Sequence, residues 1–149
     1  MTTNDSSERL RKVRAALLHL HKTLLDDERE SYERMHDRIE NSYEVLRLVM
    51  HDPWFAWLHG LSELIVRIDE ALDGEEAPAE ADVESVIQQA RELTAPDEHG
   101  SEFQQKYFRA LQRSPDAVLA HAETMKVITN TKPNEKPGIE IPGQPSEKL

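Results

Sequence analysis

Residues 6–40 contain neither glycine nor proline, so nothing in the backbone chemistry of this segment interrupts a helix. Residues 6–8, Ser-Ser-Glu, supply a helix start, and a helix to residue 40 would be about 50 Å long. At about 100° per residue, one stripe of this helix is apolar. The stripe comprises Leu10, Val13, Leu17, Leu24, Met35 and Ile39. The chain therefore has to fold around one long amphipathic helix.

The next segment predicts a separate short helix. Asn41 and Ser42 offer a turn or a new cap, and residues 43–51 follow without a helix breaker. The apolar stripe stays in phase across this point, so one continuous helix to Pro53 is the alternative reading. The apolar residues of the short helix cover most of its circumference, which predicts that it is well buried. They are Val45, Leu46, Leu48, Val49 and Met50.

A second clear start signal is Asp52 followed by Pro53, because the carboxylate caps free N–H groups and proline suits the first helical position. The apolar pattern that follows predicts one helix over residues 53–73, ended by Gly74. Its inward face comprises Trp54, Trp57, Leu58, Leu61, Leu64, Ile65, Ile68 and Leu72.

Three further helices are predicted over residues 82–94, from Ser101, and from Ser114 to about residue 129. The predicted inward face of the first of these helices comprises Val83, Val86, Ile87, Ala90 and Leu93. That of the second comprises Phe103, Tyr107 and Leu111, and that of the third comprises Val118, Ala122, Met125 and Ile128. Residues 130–149 carry four prolines and two glycines, a composition typical of a disordered tail. The predicted fold is an all-α bundle of five to six helices over residues 1–129, with the tail behind it.

Charge and composition exclude several function classes. The formal net charge of −11 opposes binding to nucleic acid and to anionic membrane surfaces. The absence of cysteine excludes disulfides, thiolate nucleophiles and cysteine-ligated metals. No secretory signal or bilayer-length apolar run is present, so we expect a cytoplasmic protein.

Two short spacings resemble metal-binding patterns of helical bundles. Glu33 and His36 match Glu-x-x-His, and His59 and Glu63 match the His-x-x-x-Glu spacing of hemerythrin-like bundles. On a helical wheel, Glu33, His59 and Glu63 lie about 140° to 180° from the apolar stripes. Ligands of a bundle site must point inward, so ordinary solvated pairs are the favoured interpretation.

A better candidate for a polar interior site is formed by residues that fall on the inward faces. His21 and Glu28 lie near the centre of the stripe of the first helix, and His121 lies on the inward face of the last helix. Tyr32 and Tyr107 also point inward. If these two helices are neighbours, the five side chains could hold a metal or a small ligand, or they could form a structural hydrogen-bonded network.

The aromatic residues suggest a contact surface. Trp54 and Trp57 serve either as core residues or as an anchor for a partner. Phe55, which points toward Val66, and Phe108 leave the main faces of their helices, and a monomer gains nothing by exposing them. These five residues are the interface candidates, and they make a homodimer plausible.

The run over residues 52–58, with residues 62–66 and 68–70 behind it, resembles a family of small bacterial helical proteins without an assigned function. The opening residues 10–11 and 32–34 are similar in the same way. The resemblance spans most of residues 8–129 and implies a single helical domain of bacterial origin. It implies no catalytic residues.

The sequence therefore favours a non-enzymatic protein that acts through a protein partner or through self-association, and it identifies no cofactor. No complete catalytic constellation is present to support an enzyme. The alternative is a bundle whose interior site at His21, Glu28 and His121 binds a transition metal or a small ligand.

Overall fold

The computed structural model describes residues 2–130, and side-chain surroundings for residues 5–129. Over these residues the chain is all-helical. The elements are α1 (Thr2–Met35), α2 (Ser42–His51), a 3₁₀ helix (Pro53–Leu58), α3 (His59–Asp73), α4 (Glu80–Leu93), α5 (Glu102–Arg113) and α6 (Pro115–Asn130). None of the described helices is long and apolar enough to cross a membrane. The predicted disordered tail, apart from Asn130, lies outside the described residues.

Four helix starts were predicted correctly because local side chains make them, whereas α1 begins at Thr2 instead of residues 6–8 and α4 begins at Glu80 instead of residue 82. Asn41 accepts the backbone N–H of Glu44 at the start of α2. The carboxylate of Asp52 accepts the N–H of Trp54 at 2.8 Å. Two further caps, Ser101 at α5 and Ser114 at α6, are confirmed in the same way. Each cap satisfies N–H groups that the first turn of a helix leaves free.

The bundle is built around α1, which packs against α3, α4 and α6. Leu10, Val13, Leu17 and Leu24 are fully buried, which confirms the N-terminal part of the predicted stripe. The predicted face of α6 is partly wrong: Ile128 is buried and Met125 packs against the core, but Val118 is 45% exposed. Ala122 is also exposed, while Ala117, Ala120, Thr124 and Ile128 are buried. The inner face of α6 carries small side chains, which let this helix lie close to α1. Because the face was chosen by hydrophobicity alone, the predicted inner face is rotated relative to the one that is buried.

The break between α1 and α2 is confirmed, and the single continuous helix is wrong. α1 ends at Met35, so this residue is 72% exposed rather than part of the core. Ile39 is buried, as predicted, but from the connecting segment instead of a helix. The carboxylate of Glu33 accepts the backbone N–H of Ile39 at 2.9 Å, which holds the chain where it turns.

The helix predicted over residues 53–73 is two elements, a 3₁₀ helix followed by α3. A 3₁₀ helix advances about 120° per residue, so side chains three apart eclipse each other. Phe55 therefore projects on the same side as Leu58, and both are fully buried. The prediction that Phe55 lies off the main face assumed an α-helical pitch and is wrong.

Candidate functional site

The helix α2 leaves one side of its apolar surface open. Leu48 is its only buried residue, although the sequence predicts a helix buried over most of its circumference. The exposed fractions are 75% for Tyr43, 56% for Leu46 and 56% for Met50. α2 packs mainly on the 3₁₀ helix and makes few close approaches to the other elements. Its burial was mispredicted because the fold provides packing partners on one side only.

An open apolar groove of about 900 Å³ lies between α2 and the facing parts of α1 and α3. Its volume is in the range of clefts that bind small molecules or the side chains of a partner. The apolar residues that line it are Leu25 from α1, Val45, Leu46, Val49 and Met50 from α2, and Val66 from α3. Of the five sequence-predicted interface candidates, Val66 is the one that lines this groove, and it is 51% exposed.

Two histidines place polar groups in the groove. His21 Nε2 lies 2.8 Å from the hydroxyl oxygen of Ser62, which joins α1 to α3. His59 donates its Nε2 proton to the backbone carbonyl of Val49 at 2.9 Å, which joins α3 to α2. His59 is half-buried, so the sequence-based expectation that it points to water is wrong, whereas Glu63 is exposed as expected. The angle of His59 on the helical wheel was measured from Trp54. Because Trp54 lies in the 3₁₀ helix, its direction does not mark the inward face of α3.

The electrostatics of this histidine pair favour a neutral imidazole at His21. Burial lowers the pKa of His21 below its ordinary value, and the nearby His59 lowers it further. Both effects disfavour the charged form, because a cation loses hydration on burial and is repelled by a second cation. At neutral pH His21 is therefore a hydrogen-bonding group in the groove and does not contribute charge.

The charged residues at the groove are few and differ in their partners. Arg29 lies 3.5 Å from the carboxylate of Glu33. Arg67 donates to the side-chain oxygen of Gln89, and it has no carboxylate partner among the described side chains. Glu63 is the one carboxylate in the lining of the groove. The lining thus carries two guanidinium groups and one carboxylate, although the whole chain has a net charge of −11.

The structure does not assemble the interior site predicted from sequence. His21 lies in the groove against Ser62, whereas Glu28 and His121 each have partners elsewhere. Among the described residues, no three His, Asp or Glu side chains are grouped so as to hold a metal ion. A helical wheel shows which side of a helix a residue occupies but not its position relative to other helices, which is why the convergence was mispredicted.

Glu28 is the centre of a structural network. It is 8% exposed, and its carboxylate accepts the indole N–H of Trp57 at 3.2 Å. Arg113 donates to the same oxygen at 2.9 Å and also pairs with Asp27. The need of a buried carboxylate for a partner was predicted, and these two donors meet it. Arg113 was missed because 85 residues separate it from Glu28, and no local pattern encodes such a contact.

The two tyrosines predicted to face inward have different surroundings. Tyr107 is fully buried, and its hydroxyl lies 2.6 Å from His121 Nδ1. Burial raises the pKa of the Tyr107 phenol and lowers the pKa of His121. Tyr32 is half-buried and stacks on His36 with 4.2 Å between ring centroids. The structure therefore places the two tyrosines in separate contacts and not in one shared site.

The remaining interface candidates are mostly part of the core. Phe55 and Trp57 are buried, which removes them from the exposed surface. Trp54 is half-buried against the ring of Tyr32, and its indole nitrogen is buried without a hydrogen-bond partner among the described residues. Phe108 is half-buried on α5 and lies outside the groove. Its role at an interface stays a prediction.

The sequence did contain a signal for the exposed surface of α2, but this signal was misinterpreted. The apolar circumference of residues 43–51 was taken as a sign of burial within the bundle. A ten-residue helix can also present such a surface to a partner, because hydrophobicity does not distinguish the two cases. Ser62 was missed because a serine inside an amphipathic helix carries no signal of its own.

Comparison with known proteins gives no relative: no family model, no curated protein and no solved structure matches the chain. The resemblance to small bacterial helical proteins therefore stays a prediction.

Proposed function

We propose that this protein is a non-enzymatic binding protein, which takes an apolar helical surface of a protein partner onto α2 and into the groove beside it. The observation that carries this proposal is the exposure of Leu46 and Met50, each at 56%. These side chains are one turn apart and project on the same face of α2. A helix that is apolar over most of its circumference is stable in water when that surface is covered.

The groove supports the same function. It adjoins the exposed face of α2 and adds apolar contacts from α1 and α3, so a partner would meet one continuous apolar surface. Exposed apolar patches bordered by polar residues are typical of protein-binding surfaces. Arg67 and Glu63 provide polar contacts at its border, which suits the usual arrangement of an apolar centre with a polar rim.

The test is photocrosslinking of the full chain in cells. Benzoylphenylalanine replaces Leu46 in one variant and Glu102, which is exposed on α5, in a matched control. We expect a discrete adduct from position 46 that is absent from position 102 and is lost when Met50→Lys is added. Equal adducts from both positions, or an adduct from position 46 that survives Met50→Lys, contradict the proposal.

A second candidate function is binding of a small apolar ligand in the groove, and it keeps part of the ligand hypothesis made from sequence. The observation in its favour is that His21, Ser62 and His59 place hydrogen-bonding groups in an apolar cleft of about 900 Å³. The test is the melting temperature in the presence of dodecanoate and of dodecanol, because a ligand bound only by the native state raises it. No rise with either probe contradicts this candidate.

A further inference from the structure

One carbonyl in the last turn of α2 is bound by a side chain from another helix. In a continuous helix the carbonyl of Val49 would accept the N–H of residue 53, but that residue is Pro53, which has no N–H. His59 Nε2 lies 2.9 Å from this carbonyl oxygen. Since a carbonyl can only accept, the imidazole carries a proton on Nε2. His59, the first residue of α3, therefore caps the C-terminal end of α2.

Little else in α2 fixes its distance from α3. Ile39 before the helix and Phe55 after it are buried, so both ends of this segment are anchored in the core. Between these anchors Leu48 is the only buried residue of α2, and the helix approaches mainly the 3₁₀ helix. The hydrogen bond from His59 links α2 directly to α3, which makes it the contact that sets the separation of the two helices.

The same bond borders the groove. His59 and Val49 both line it, and so does Ser62, which lies one turn further along α3 and contacts His21 of α1. Two hydrogen bonds about one turn apart on α3 thus connect this helix to α2 and to α1. The groove is the space between the three helices, so its width depends on both bonds.

Resting on the binding role proposed above, we propose that His59 is a positioning residue of the binding site, which holds α2 at the distance from α3 that forms the groove. Without this bond α2 can turn about its anchored ends, because residues 36–41 and Asp52, which flank it, are not helical. A partner would then meet α2 and α3 as separate surfaces. A partner that contacts both sides of the groove stabilises the held position in return.

The test is hydrogen exchange of the backbone amides in the full chain, with three substitutions. His59→Gln keeps a donor near the position of Nε2, His59→Leu removes the donor, and His51→Leu removes an exposed histidine of α2 as a control. We expect the amides of α2 to exchange about tenfold faster in His59→Leu and at the unmodified rate in the other two. The amides of the buried Val13 and Leu17 in α1 should be unchanged in all three, which separates movement of α2 from loss of global stability.

Photocrosslinking from position 46 then separates this proposal from the binding role. We expect the adduct to weaken several-fold in His59→Leu and to be retained in His59→Gln. Exchange of α2 that is unchanged in His59→Leu, or equally fast in His59→Gln, overturns the positioning role and leaves the binding role standing. An undiminished adduct in His59→Leu does the same. If no adduct forms from position 46 even with His59 present, the binding role fails, and this proposal fails with it.

Discussion

The indole N–H of Trp57 donates to the buried carboxylate of Glu28 across 3.2 Å, and this bond joins the 3₁₀ helix to α1. Arg113 supplies the compensating charge from the last residue of α5. One carboxylate thus fixes three elements that are distant in sequence. Its inward position, which by itself suggested a ligand site, is explained by these structural contacts.

Substitution of Arg113 tests how much the stability of the network around Glu28 depends on the guanidinium group. Arg113→Met leaves the carboxylate of Glu28 buried with the Trp57 N–H as its remaining donor, and we expect a loss of about 1–3 kcal/mol in the free energy of unfolding. The measurement is urea denaturation at neutral pH. Arg109→Met on the same helix is the control, because Arg109 is exposed and its change should stay within about 0.5 kcal/mol. Equal effects of the two substitutions contradict the network.

The position of Phe55 gives a prediction that separates core from interface. Phe55→Ala should reduce the free energy of unfolding by about 3–5 kcal/mol, because a fully buried aromatic ring is replaced by a cavity. Leu119→Ala, at a site that is 68% exposed, should change it by less than about 0.5 kcal/mol. A small effect of Phe55→Ala would mean that the ring lies outside the core. This is the position that an α-helical pitch over residues 53–58 would give it.

The buried histidines predict a loss of stability in acid. The pKa values of His21 and His121 lie below the ordinary 6.5, mainly because burial disfavours their cationic forms. At these two sites the unfolded chain then binds more protons than the native chain, so their contribution to stability is fully present above pH 6.5 and is lost as pH drops from 6.5 through the lowered native pKa values.

The check is chemical denaturation at several pH values between about 8 and 5. The double variant His21→Gln, His121→Gln should lose less stability over this range than the unmodified chain. His99→Gln serves as control, because the side chain of His99 is 86% exposed. An unchanged pH dependence in the double variant would show that other groups produce the acid sensitivity.

Tyr107 gives a spectroscopic prediction. Burial raises the pKa of its phenol, so in an absorbance titration it should ionise at a higher pH than an ordinary tyrosine. Tyr107→Phe should remove the last step of the titration and destabilise the fold by about 0.5–1.5 kcal/mol, since His121 loses a hydrogen-bond partner. If Tyr107→Phe instead removes a step at lower pH from the titration, the phenol of Tyr107 lies in solvent and the account is contradicted.

The sequence was most informative where the determining contacts are local. Caps such as Asn41 and Asp52 act over two or three residues, and the α1 stripe from Leu10 to Leu24 follows from helical pitch alone. The change to a 3₁₀ pitch at Pro53 could not be read from hydrophobicity, and it reversed the expected direction of Phe55.

The candidate site depended on long-range packing and was therefore harder to predict. Val66 was named as an interface candidate, but the groove beside it exists because α2 packs on the 3₁₀ helix and stands apart from α1 and α3. The contact of His21 with Ser62 spans 41 residues of sequence. Neither relation has a local signature in the sequence.

The most direct measurement of the central claim is oxidative footprinting of Met50, with Met35 as an internal reference in the same chain. Both are exposed in the isolated chain, at 56% and 72%, and Met50 alone lines the groove. If α2 is a binding surface, Met50 should oxidise about as fast as Met35 in dilute purified protein and several-fold more slowly than Met35 inside cells. Equal oxidation rates of the two methionines under both conditions would contradict the account.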